Sequence, residues 1–121
     1  METRRFGDSD LETSIIGFGT WELGTTQYGE IDVQQASLAI NQAIDAGITL
    51  IDTAEVYGPR HSEEILGKAL GGRRKEVVLV TKVGFNVGEN NVNQGRDSSP
   101  QTILTHAEGC LQRLQTDYVD L

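Results

Sequence analysis

The chain has 121 residues, the size of one domain, with 37% apolar residues, 23% charged residues and a formal net charge of −8. A broad acidic surface repels phosphate backbones, which argues against nucleic-acid binding, and no apolar run approaches the length that spans a bilayer. The single cysteine, Cys110, rules out an internal disulfide, and the segment from Met1 to Gly7 has no apolar stretch of the secretion-signal type, so the expected location is the cytoplasm.

Residues 3 to 16 alternate weakly around Gly7-Asp8-Ser9-Asp10, a turn-rich cluster, which predicts a leading β-hairpin. Ile15 to Trp21 reads as a first strand entering a glycine-containing loop. Asp32 is a good N-cap for a helix from Val33 to Ala46, with Ala36, Ile40, Ala43 and Ile44 at helical spacing and Gly47 at its end. Ile48 to Asp52 is a second strand. It lacks apolar/polar alternation apart from Thr49, the pattern of a parallel strand covered on both faces.

Ser62 is expected to cap a short helix, with Glu63 and Glu64 in its favourable first turn. Ile65, Leu66, Ala69 and Leu70 form its apolar stripe, and Gly71-Gly72 ends it. Arg73-Arg74-Lys75 reads as a solvated turn. Val77 to Val83 is the third strand, followed by a long polar loop from Gly84 to Ser99. Ser99-Pro100 starts a helix to Gln115 that is expected to bury Ile103, Ala107, Cys110, Leu111 and Leu114. A fourth strand begins at Tyr118-Val119-Asp120-Leu121. Strands alternating with helices predict a parallel sheet. A doubly wound sheet and a (β/α)8 barrel both begin this way.

Parallel sheets gather their chemistry at the C-terminal ends of the strands. Here one such end carries Asp52, with Tyr57 in the loop beyond it, and the next carries Lys82. Tyrosine is a weak acid at neutral pH, and a nearby ammonium stabilises its phenolate. A carboxylate beside the lysine keeps that ammonium charged and in place. The three together form a general acid for a carbonyl oxygen, and they require an external hydride donor because none of them can supply one. The bland alternative is an aspartate on loop amides, a packed tyrosine and a solvated lysine. Gly17-Phe18-Gly19 does not complete a dinucleotide fingerprint, because position 22 is glutamate. His61 reads as a loop or cap residue. His106 lies in a helix with no ligand set around it, so no metal site is expected.

The segment Asp52-Thr53-Ala54-Glu55-Val56-Tyr57-Gly58, followed by Ser62-Glu63-Glu64-Ile65-Leu66-Gly67, closely resembles the N-terminal signature of the aldo-keto reductases. Thr81-Lys82-Val83, Arg5-Phe6-Gly7, Gly17-Phe18-Gly19-Thr20-Trp21 and Asp117-Tyr118-Val119-Asp120-Leu121 resemble further blocks of that family, in the same order. The resemblance implies that residues 1–121 are the N-terminal part of a single (β/α)8 TIM barrel with a leading hairpin, ending at the fourth strand. It also implies NADP(H)-dependent reduction, with NAD(H) as the alternative, of a small-molecule carbonyl substrate. By position, Tyr57 is the general acid, Lys82 its tuning cation and Asp52 the partner of Lys82. Gly19, Thr20 and Trp21, with Asp52, lie beside the nicotinamide. The same resemblance places a further catalytic histidine and the phosphate-holding residues beyond Leu121, so the 121-residue chain alone is expected to be poorly stable and inactive. Some family members are cofactor-sensing regulatory subunits, which is the competing reading, and the intact Asp52, Tyr57 and Lys82 favour the enzyme. No oligomeric state is implied.

Overall fold

The computed structural model describes residues 1–25, 29–88 and 93–121. The predicted hairpin is present: β1 (Thr3–Arg5) pairs antiparallel with β2 (Glu12–Ser14), Thr3 facing Ser14. Then follow β3 (Gly17–Gly19), a 3-10 turn (Trp21–Gly24), α1 (Val33–Asp45), β4 (Leu50–Asp52), α2 (His61–Leu70), a second 3-10 turn (Gly71–Glu76), β5 (Val78–Val80), β6 (Phe85–Val87), β7 (Asn93–Arg96) and α3 (Pro100–Leu114). Strands β3, β4 and β5 form a parallel sheet in that order, with Gly17, Leu50 and Val78 in register at one end and Gly19, Asp52 and Val80 at the other.

The helix boundaries follow from their caps. Asp32 accepts hydrogen bonds from the amides of Gln34 (2.8 Å) and Gln35 (3.1 Å) at the start of α1. At its end the Gly47 amide turns back to Ile44 and that of Ile48 to Ala43. Ser99 caps α3, with Pro100 at its first turn. Ser62 does not cap α2. The helix begins at His61, after Arg60 in a left-handed conformation (φ 72°), and Ser62 lies inside it, fully buried. Its hydroxyl donates to the Thr20 carbonyl at 2.8 Å, so it joins two loops instead of serving a free helix amide.

One face of the sheet carries the core. Ile51 and Leu79 lie beneath Ile40 and Ile44 of α1, Leu66 and Leu70 of α2, and Cys110 and Leu114 of α3. Helix α2 sits between α1 and α3. Its approach to α3 is close enough that a Cβ on Gly67 would lie 2.4 Å from the Arg113 carbonyl oxygen. The opposite face is not fully covered as the strand composition predicts: Leu50, Asp52, Val78 and Val80 are half-buried. Helix α3 also buries less than its stripe predicts. Cys110 and Leu114 are in the core, Ala107 and Leu111 are half-buried and Ile103 is exposed, because only the C-terminal half of α3 reaches the sheet cluster.

Three further expectations change. Arg74 is not part of a solvated turn. It is 8% exposed, pairs with Asp120 at 2.8 Å, donates to the Val77 carbonyl at 3.1 Å and stacks on Tyr118, 4.0 Å from the ring centre. Tyr118 to Leu121 runs beside β5 without becoming a strand. The Asp120 amide donates to Leu79 and the Thr81 amide to Leu121, but the Asp120 carboxylate takes the Leu79 amide at 2.8 Å and so replaces a ladder bond with a side-chain bond. The polar loop after β5 contains the antiparallel pair β6–β7, with Phe85 opposite Arg96. Residues 89–92 of that loop lie outside the described residues.

The close α2–α3 approach makes Gly67 a sensitive position. Gly67→Ala is expected to separate the helices and to destabilise the chain by about 1–3 kcal/mol, read as a lower urea midpoint at unchanged m-value.

Candidate active site

The register of the sheet sets the geometry. Asp52 is the last residue of β4, beside Val80, and Lys82 lies two residues past the end of β5. The assigned strands are shorter than their apolar runs, yet single backbone bonds continue the pairing: Thr53 N–H to the Val80 carbonyl at 2.9 Å and Glu55 N–H to the Lys82 carbonyl at 3.2 Å. These bonds keep the chain after Asp52 alongside the chain leading to Lys82.

Asp52, Tyr57 and Lys82 come together. The Lys82 ammonium donates to Asp52 Oδ1 at 2.6 Å, to the Thr53 carbonyl at 2.9 Å and to the Tyr57 hydroxyl oxygen at 3.2 Å. An ammonium has three hydrogens, and here each has an acceptor. Because the Tyr57 oxygen accepts from Lys82, its own proton is directed away from the lysine and is available to another acceptor. Partial burial, the largest single influence on Lys82, works against its charge. The hydrogen bonds to Asp52 and then Tyr57, with the attraction of Asp52, outweigh it, and the Lys82 pKa is raised above the ordinary lysine value. The site is open: the side chains of Lys82 and Asp52 are 48% and 41% exposed, enough for a ligand to reach them.

The loop after β3 closes on this group from the other side. Gly19 is opposite Asp52 in the sheet, and a Cβ built on it would meet nothing within 4 Å. Thr20 is fully buried, and both its amide and its hydroxyl donate to the Asp52 carbonyl at 3.0 Å. Its side chain therefore supports Asp52 from behind and does not face outward with Gly19. Trp21 is 45% exposed. The turn it begins packs backbone to backbone on the Tyr57 loop. A Cβ on Gly58, which has φ +65°, would fall 1.6 Å from the Gly24 carbonyl oxygen, and one on Gly24 would fall 2.3 Å from the Tyr57 carbonyl carbon. Only glycine fits at either position.

One set of polar residues escaped the sequence reading. Glu55, Glu63, His106 and Arg113 form a hydrogen-bonded cluster behind the Tyr57 loop, its two carboxylates buried and its two cationic partners partly buried, and His106 Nδ1 lies 2.6 Å from Glu55 Oε2. The available signal was the spacing of His106 and Arg113, seven residues apart on one helix face. Cys110 on the same helix is a core residue, its thiol pushed up to about 12 by burial and then by the Glu63 charge. His61 is the exposed first residue of α2. Among the described residues no group of three or more histidine, cysteine, aspartate or glutamate side chains could hold a metal ion, and no helix is long and apolar enough to cross a membrane. An apolar cavity of about 300 Å³, lined by residues including Thr81, Val83, Cys110, Val119 and Leu121, lies between the segment after β5, α3 and the C-terminal segment, and none of the three site residues lines it.

Residues 15–121 match the model of the aldo/keto reductase family. The chain is 43% identical over 123 residues to the aldo-keto reductase YhdN of Bacillus subtilis, an alignment that covers all of this chain and 37% of that protein. Among solved structures it matches the holo form of aldo-keto reductase AKR11C1 from Bacillus halodurans with a TM-score of 0.88 and 37% identity, over 98% of this chain and 38% of that one. An aldo-keto reductase from Klebsiella pneumoniae in complex with NADPH matches with a TM-score of 0.75 and 38% identity, over 98% of this chain and 37% of that one. The chain thus spans well under half the length of these relatives, and the β3–β4–β5 sheet with its helices corresponds to part of a (β/α)8 barrel. The family match over most of the chain and the likeness to its solved members show that this chain belongs to the aldo/keto reductase family.

Proposed function

We propose that residues 1–121 form the N-terminal part of a single (β/α)8 domain that reduces a small-molecule aldehyde or ketone with NADP(H), and that this part supplies the proton donor. The observation that carries the reading is the Lys82 ammonium held between Asp52 Oδ1 at 2.6 Å and the Tyr57 hydroxyl at 3.2 Å. A regulatory subunit that only sensed cofactor would not require that hydroxyl to rest on a charged lysine. A cytoplasmic setting belongs to the same reading, since a lone buried cysteine needs no oxidising compartment.

The residues beside Asp52 suit a flat cofactor ring. Gly19 leaves open space next to Asp52, and Trp21, two residues on, is an exposed aromatic side chain. Thr20 contributes by fixing Asp52, its hydroxyl being already committed to the Asp52 carbonyl. Gly19, Trp21 and Asp52 would flank the nicotinamide, which when bound supplies a hydride to the carbonyl carbon.

The chain's own residues deal with the oxygen. A carbonyl oxygen seated by the Tyr57 hydroxyl receives the phenolic proton as negative charge builds on it. The phenolate left behind faces the Lys82 ammonium, already in hydrogen-bond contact, so no group has to reorganise to stabilise it. Asp52 keeps the ammonium in place, and the half-exposed position lets a proton return from solvent after the alcohol leaves. Binding NADP(H), as the Klebsiella pneumoniae relative binds NADPH, requires surface beyond this chain in the proposed domain.

The test is NADPH oxidation with a simple aldehyde by the full-length domain. Tyr57→Phe is expected to lower kcat by about 10²–10⁴-fold, the usual contribution of a positioned general acid, while NADPH binding measured by fluorescence stays unchanged. Wild-type activity in Tyr57→Phe would refute the assignment, and turnover by the 121-residue chain alone would refute the need for the rest of the domain.

The raised Lys82 pKa makes a second prediction, in alkali. A group whose folded pKa lies above its unfolded value contributes stability that is complete below the unfolded value, about 10.4, and is lost as pH rises through the folded value. Asp52→Asn removes the principal attraction. It is expected to lower the NMR titration midpoint of Lys82 and to move the onset of alkaline destabilisation to lower pH, an effect kept small by the exposure of both side chains.

A further inference from the structure

Glu55 lies between Asp52 and Tyr57 in sequence, and its environment differs from that of the exposed site residues. It is 2% exposed. Its Oε2 lies 2.6 Å from His106 Nδ1, and its Oε1 accepts from Arg113 Nη2 at 3.2 Å and lies 3.5 Å from Arg60 Nε. Arg113 Nε also donates to Glu63 Oε2 at 2.7 Å, and the other Glu63 oxygen accepts from the Thr81 hydroxyl at 2.6 Å. Thr81 immediately precedes Lys82. A chain of buried polar contacts therefore starts on the Tyr57 loop, passes through α3 and α2, and returns to the residue before Lys82.

The backbone closes the same loop. The Glu55 amide donates to the Lys82 carbonyl at 3.2 Å, and the Glu55 carbonyl accepts the Arg60 amide at 2.6 Å. The Glu55 side chain anchors to α3 the short segment that carries Tyr57, and its amide fixes the height of that segment against Lys82. Arg60, at the other end of the loop, donates to the Val87 carbonyl of β6 at 2.9 Å. The Tyr57–Lys82 contact, at 3.2 Å and half-exposed, is the weakest link of the site. The Tyr57 amide donates to the Ala54 carbonyl at 3.1 Å and its carbonyl accepts the Ser62 amide at 3.2 Å, so the tyrosine is carried by the segment that Glu55 anchors.

We propose that Glu55 and His106 act as positioning residues, holding the Tyr57 hydroxyl on the Lys82 ammonium by clamping the Tyr57 loop to α3. They touch neither carbonyl nor cofactor. The proposal rests on the functional reading given above, which makes the Tyr57–Lys82 geometry a determinant of rate. A buried ion cluster with a purely structural role would lower stability when broken and leave the surviving site's kinetics unchanged.

The experiment uses the full-length protein with Glu55→Gln, His106→Asn and, as a surface control on α2, Glu64→Gln. With NADPH and a simple aldehyde, Glu55→Gln and His106→Asn are each expected to lower kcat about tenfold or more, while both KM values stay within about twofold, the signature of a misplaced catalytic group. The second readout needs no turnover. The NMR titration midpoint of Lys82 is expected to fall in both variants by about one pH unit, because a displaced tyrosine and loop loosen its contacts. His106→Asn carries the argument here. It removes no negative charge, so a direct charge effect would leave the Lys82 midpoint unchanged or raise it, whereas a loosened site lowers it. Where Glu55→Gln does not fold, His106→Asn decides. An unchanged kcat or an unchanged Lys82 midpoint in folded His106→Asn overturns the proposal, as does loss of fold in both variants, which would assign the cluster to stability alone. A wild-type protein with no carbonyl reductase activity would refute the functional reading instead, and the Lys82 titration would still test the clamp.

Discussion

The structure depends on the parallel register of three short strands. Gly19, Asp52 and Val80 are neighbours across the sheet, so the loops that follow them leave from one edge. Once that edge is set, the Asp52 carboxylate and the Lys82 amine need no long-range folding to meet, and the Tyr57 loop has a short gap to cross. A one-residue slip between β4 and β5 would turn one strand's side chains to the opposite face. It would place Ile51 or Leu79 outside the helix layer, where each is now under 2% exposed. The core under α1, α2 and α3 therefore enforces the register, and through it the site, although Asp52, Tyr57 and Lys82 are not part of that core.

The two faces of the sheet have different roles. The helix face is dry and apolar and supplies stability at roughly 25 cal/mol per Å² of apolar surface removed from water. The opposite face and the strand ends are half-exposed, which allows Lys82 to keep its charge: the Asp52 carboxylate and the Tyr57 hydroxyl outweigh its desolvation. Full burial at the same contacts would raise the desolvation cost steeply, and full exposure would lose the short Asp52 bond to solvent competition. Intermediate burial is the condition under which a lysine can both stay charged and stabilise a neighbouring phenolate.

Much of this was legible in the sequence for identifiable reasons. Asp32 and Ser99 cap their helices by local chemistry, and the Asp52 strand end follows from an apolar run that stops at a charge, whereas Lys82 lies two residues beyond β5. Ser62 misled because its type and position fit a cap, and only the tertiary fold, which brings the Thr20 carbonyl to 2.8 Å, gives its hydroxyl a different partner. Arg74 misled for a similar reason: a basic tripeptide looks solvated until Asp120 and Tyr118, more than forty residues on, fold over it. The exposure of Ile103 and the half-covered second face could not be read from periodicity, which reports the face a helix or strand can bury and not whether a partner covers it. The β6–β7 hairpin lay hidden in a stretch too polar and glycine-rich to show strand alternation.

The Glu55 cluster was the least visible feature, and its energetics explain why it matters. Four ionisable side chains, two of them carboxylates at 2% and 0% exposure, occupy space that apolar side chains could fill. Buried ion pairs seldom stabilise a fold more than well-packed apolar groups of the same volume, because desolvation consumes most of the Coulomb gain. Stability alone is thus a weak reason for such a cluster behind the Tyr57 loop. Directionality is a stronger one. Apolar contacts tolerate sliding, whereas a carboxylate held by His106 on one oxygen and Arg113 on the other fixes both position and orientation. On the function proposed above, Tyr57 as proton donor has to hold its place to within about 0.5 Å. The loop that carries it is therefore tied down by bonds that are directional, even though they are costly to bury.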